Sequence, residues 1–153
     1  MTTMTHRVVA QRVVAHRVLL GLLIFGAVSA AGGCVLGVVF NGAGVPLAYL
    51  DGTPFPTFVL PGLILGIVIG GTQAAGAIAI LRRHPRELAI AAAAGFGMII
   101  WIFAELAIIT EYSFLQTIYF ALGIVELLLV LLITGVLTAS RSHSHNQPGK
   151  GTP

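Results

Sequence analysis

Residues 88–139 decide the fold: LAIAAAAGFGMIIWIFAELAIIT (88–110), then Glu111-Tyr112-Ser113, then FLQTIYFALGIVELLLVLLITGVLTA (114–139). Each long run exceeds the roughly 20 apolar residues that a helix needs to cross a hydrocarbon core. Each holds one acidic side chain and no basic one, Glu105 in the first and Glu126 in the second. The short connection forces the two spans to lie antiparallel and adjacent.

Working outward, two more runs have the same character, Val18–Phe40 and Phe58–Leu81. The 153 residues are 57% hydrophobic and only 8% charged, where a soluble domain carries about 25% charged residues. That excludes a soluble protein. The reading is an all-α, four-transmembrane-helix bundle over 18–139, with spans of about 18–40, 58–81, 88–110 and 114–139. A basic segment, 1–17, precedes it. The tail, 140–153, is rich in Ser, His, Gly and Pro and is expected to be disordered.

Charge sets the threading. Arg7, Arg12 and Arg17 precede the first span, Arg82, Arg83 and Arg86 separate the second and third, and Arg141 and Lys150 follow the fourth. Segments 41–57 and 111–113 carry Asp51 and Glu111 and no base. By the positive-inside rule both termini are expected in the cytoplasm. The basic segments lack the interleaved aromatics of a nucleic-acid surface, so no nucleic-acid partner is expected.

The N-terminus repeats every five residues: His6-Arg-Val-Val-Ala, Gln11-Arg-Val-Val-Ala, His16-Arg-Val-Leu-Leu. Five residues advance about 140° on a helix, so the arginines spiral and no amphipathic helix is expected. The segment reads as a frayed topology signal, with anionic-lipid contact as the alternative. Cys34 is the only cysteine, which rules out an intrachain disulfide. Ala31-Gly32-Gly33-Cys34 has the order of a lipoprotein cleavage site, but the apolar run continues through Phe40, so a small buried residue is the better reading.

The loop 41–57 holds Gly42, Gly44, Pro46, Gly52, Pro54 and Pro56 and cannot continue a helix. Its Leu47, Tyr49, Leu50 and Phe55 are expected to fold back at the outer interface. Ser113 is the expected N-cap of the last span. Gly33 with Gly37, Gly66 with Gly70, and Ala91 with Gly95 have the spacing of close helix crossings in lipid.

Tight turns make depth calculable. Counting back from the turn near Tyr112 places Glu105 level with Tyr119, and Glu126 level with Met98. Counting from the turn near His84 brings Met98 level with Gly70, so Glu126 is expected near the bilayer midplane beside Thr72 and Gln73. Glu105 then lies about 10 Å nearer the outside at 1.5 Å per residue. Gln116, Tyr119, Gly123 and Glu126 form one stripe, and Met98, Trp101, Glu105, Ile108 and Tyr112 another. Opposed stripes put Glu105 against Tyr119 or Gln116, and give Glu126 a partner from Thr72 or Gln73. Neither acid has a basic residue in the spans, and desolvation without a counter-charge favours the neutral, hydrogen-bond-donating acid.

Trp101-Ile-Phe-Ala-Glu105, Tyr112 through Gly123, Thr53-Pro-Phe-Pro and Pro61 through Gly66 together resemble a widespread group of small four-span membrane proteins from actinobacteria and related bacteria. The resemblance implies an architecture and the bacterial plasma (inner) membrane, and supplies no mechanism. Glu126 lies outside the stretches that carry it.

No phosphate-cradling loop, nucleophile elbow or His/Cys cluster lies in the spans, so no catalytic residue, cofactor or metal is expected. His143 and His145 alternate in the tail and make a poor metal site. Two readings stand. The first is a non-enzymatic accessory or structural membrane subunit, with the bilayer and a homo-oligomer or larger membrane complex as partners. The alternative is a proton-coupled small-molecule exporter working as a homo-oligomer, with Glu126 as its proton site. The candidate proton or substrate residues are Glu126, Glu105, Tyr119, Gln116, Thr72 and Gln73.

Overall fold

The computed structural model describes residues 2–109 and 112–135, with side chains from Ala10 onward. The expected tail 140–153 with His143 and His145, the last residues of the fourth span (136–139), and Glu111 of the short turn lie outside the described residues. Four helices make the architecture: α1 (Thr2–Val38), α2 (Val59–Leu81), α3 (Glu87–Ile108) and α4 (Phe114–Thr134). All four are long and apolar enough to span a membrane, α1 over Ala10–Val38. In ring order α1 packs on α2 and α4, α2 on α3, and α3 on α4.

The main difference from the expected spans is at the start. The helix begins at Thr2 and runs unbroken into the first span, in place of a frayed segment through residue 17. No Gly or Pro interrupts it before Gly21. Ala15 and Leu19 are already buried in the core with Leu23, Ala77, Ala91 and Val130. Packing, not hydropathy, sets where this helix becomes part of the bundle. His16 Nε2 also lies 3.1 Å from a Glu87 carboxylate oxygen in the first turn of α3. Arg12 and Arg17 stay exposed, and polar and apolar residues of α1 do not segregate to one face, as the five-residue repeat predicts.

The end that carries loop 41–57, here the loop end, is built on a backbone reversal. Asn41, Gly42, Ala43 and Gly44 all have positive φ, which stops α1 outright because a right-handed helix needs negative φ at every residue. The Asn41 side-chain oxygen accepts the Phe58 N–H at 3.0 Å and so ties the loop's start to the entry of α2. Between them lies one 3₁₀ turn, Leu47–Leu50, with Leu50 buried. At the opposite, basic end, α2 closes with Arg83 at φ 50. His84 N–H donates to Ala79 O and Arg83 N–H to Ile80 O, the bonding pattern of a Schellman cap.

Helix α2 contains a π-helical stretch, Leu65–Gly70. Along this stretch and the turn before it α1 and α2 nearly touch. A Cβ on Gly37 would come within 2.9 Å of Gly62 Cα, and one on Gly66 within 2.7 Å of Cys34 Sγ. Cys34 is thus a half-buried residue inside a continuous helix, packed on α2. A second close crossing joins α3 to α4, where a Cβ on Gly123 would lie 2.9 Å from Gly95 O. Small residues let helices approach this closely where lipid supplies no hydrophobic drive.

Candidate functional site

The two glutamates sit in unlike surroundings. Glu126 projects from the middle of α4 and is wholly buried, as is Gln73 on α2. Gln73 Nε2 donates to Glu126 Oε2 at 3.0 Å, across the diagonal of the ring. The same nitrogen lies 3.5 Å from Ala94 O of α3. On the other side the Gln73 amide presses on α1, where a Cβ at Gly26 would sit 2.8 Å from its Oε1. One glutamine side chain therefore touches all three other helices. Gln73 Oε1 and Glu126 Oε1 have no hydrogen-bond partner among the described residues.

Of the two partners considered for Glu126, the structure selects Gln73. Thr72 turns away: its hydroxyl donates to Ile69 O at 2.9 Å within its own helix.

Glu105 stands about one helical turn from the end of α3 at the loop end. It is partly exposed, and its carboxyl has no hydrogen-bond partner among the described residues. It lines three cavities of about 300, 490 and 430 Å³. Trp101, the only tryptophan of the chain, lines all three as well. Leu36 and Leu65 add apolar wall to two of them.

Tyr119 and Gln116 share the first of these cavities with Glu105, as the opposed stripes predict. The expected hydrogen bonds are absent. Gln116 Oε1 instead accepts the Ser113 N–H at 3.0 Å, while the Ser113 hydroxyl accepts from Leu115 N–H, a reciprocal cap on α4. A backbone N–H otherwise without a partner claims the amide oxygen. Tyr119 stacks on Phe25 of α1, ring centroids 6.4 Å apart, which holds its ring toward α1.

Two contributors do not stand out in the sequence: Gly26, which makes room for the Gln73 amide, and Trp101 as a cavity wall. Ser113-x-x-Gln116 is a readable capping-box pattern and ties the Gln116 amide to the helix start. Gly26 carries no comparable local signal.

Among the described residues no group of three His, Cys, Asp or Glu side chains is placed to hold a metal ion. No family model matches the chain, and neither a curated protein nor a solved structure matches it.

Proposed function

We propose that this is a non-enzymatic integral protein of a bacterial plasma membrane that binds a small molecule in the cavities around Glu105. Both termini are cytoplasmic and the loop end faces outward, following the placement of every Lys and Arg on the other side of the membrane. One observation carries the reading: Glu105, whose carboxyl has no hydrogen-bond partner among the described residues, stands where three cavities meet, beside the single tryptophan. Acidic side chains at membrane depth are costly and mark sites by default. The cavities fall at the lower end of the size range of small-molecule sites.

Glu126 takes the structural part in this reading. Its enclosure by four helices and its bond to Gln73 support a fastening role over a proton-transport one, which requires contact with water during the cycle. The sole tryptophan makes the binding test direct. A small brominated aromatic probe is expected to quench Trp101 saturably, and Ser29→Phe, which fills the first cavity from α1, is expected to weaken the saturable part. Quenching that rises only linearly with probe, in both proteins, contradicts the reading.

A further inference from the structure

We propose that the ligand of the Glu105 cavities is an organic cation, a protonated or quaternary amine bearing an apolar group. Glu105 is the counter-charge and Trp101 the aromatic wall. The inference rests on the binding reading above and adds the ligand's charge and class.

The argument starts from the charge of the walls. Among the described residues, the side chains lining the three cavities include one carboxyl and no Lys, Arg or His. Every described arginine with a described side chain sits at the opposite end of the bundle, at Arg12, Arg17, Arg82, Arg83 and Arg86. Asp51 adds a second acid at the loop end. The local field therefore favours positive charge, and no basic side chain in the described walls pairs with an anion.

Next come the walls themselves. A tryptophan face attracts ammonium groups, more strongly once water is excluded. Trp101 borders each space that Glu105 borders, so a cation paired with the carboxyl lies within reach of the indole. Leu36, Leu65 and Met98 complete the first cavity and suit the apolar part of an amine. A neutral apolar molecule fills the same space and offers the carboxyl no opposite charge, whereas a bound cation favours its ionised form and gains the pairing.

Three probes of similar size separate charge from shape: benzyltrimethylammonium, its carbon isostere neopentylbenzene, and phenylmethanesulfonate. Each is titrated against Trp101 emission of the full chain in an uncharged maltoside micelle. The ammonium is expected to bind at least tenfold tighter than the carbon isostere, and the sulfonate to give no saturable response. Glu105→Gln is expected to remove that tenfold preference, and Glu105→Asp to keep part of it.

Equal affinity for ammonium and isostere overturns the charge assignment and leaves cavity binding intact. No saturable response to any probe overturns both. If Glu105→Gln does not fold, the preference measured on the unaltered chain decides alone. Repeating the titration with phosphatidylethanolamine present identifies the source of the amine. Displacement of the probe assigns the site to a lipid headgroup, and retention to a free organic cation.

Discussion

The inner part of the bundle and its loop end use the same residue type in opposite ways. Around Glu126 four helices close on one carboxyl, and a glutamine from the diagonal helix holds it. Around Glu105 three cavities open, and the carboxyl meets space instead of a partner among the described residues. A lone acid in an apolar span therefore has no fixed meaning. What decides its role is whether a neighbouring helix brings a polar side chain to its depth and whether the backbones are near enough to shut out everything else. Gly26 and the Gly95–Gly123 crossing do the shutting at the middle. At the loop end α1 and α2 still touch at Gly37 and Gly62, and the space opens between that pair and Trp101 and Glu105 of α3.

The sharpest way to break this contrast is to remove the Glu126 partner. Gln73→Leu leaves a buried carboxyl without its donor, and a loss of about 2–3 kcal/mol is expected from unfolding in mixed micelles. The double change Gln73→Leu with Glu126→Leu is expected to recover most of it, because removing both partners is far less costly than removing one. A single-mutant loss below about 0.5 kcal/mol, within the range of ordinary surface changes, contradicts the fastening role.

Gly123→Ala comes next. Its new methyl would press on Gly95 O at 2.9 Å, a backbone atom that cannot swing aside. Overpacking of this kind costs about 1–3 kcal/mol, and the same assay checks it.

A smaller effect is expected at the start of α4. Ser113→Ala removes the hydroxyl that accepts Leu115 N–H, for a loss of about 1 kcal/mol. It also loosens the segment that presents Gln116 and Tyr119, so quenching of Trp101 by the cavity probe is expected to weaken with it. Smallest of all is Glu105→Gln. With no hydrogen bond to lose, it is expected to shift stability by less than about 0.5 kcal/mol, while abolishing the preference for the ammonium probe. A large loss of stability from this change contradicts the idea that Glu105 is free for a ligand.

The inner site is readable in the sequence because its geometry is almost one-dimensional. Turns 82–86 and 111–113 are short, so depth follows from counting, and counting brings Gln73 to the level of Glu126. The loop end resists the same treatment for physical reasons. The connection 41–57 is long, and its Asn41–Phe58 tie spans a sequence distance that no local pattern reveals. The π-helical stretch in α2 turns Leu65–Gly70 more slowly than a 3.6-residue period assumes, which shifts the faces of residues on that segment. The destination of Gln116 is visible as a capping box, yet two roles compete for one amide. Backbone demand prevails. The extension of α1 to Thr2 is hidden for another reason: Ala15 and Leu19 are held by contacts with α3 and α4 that hydropathy does not register.

The contrast between the two carboxyls is tested most directly by their reactivity. The intact protein is treated in native membranes with a membrane-permeant carbodiimide, and modified peptides are located by mass spectrometry over a time course. Modification is expected at Glu105, suppressed by benzyltrimethylammonium, with Glu126 untouched while the bundle remains folded. Modification of Glu126 as fast as Glu105, or faster, would contradict the sealed inner site and return the functional role to mid-membrane.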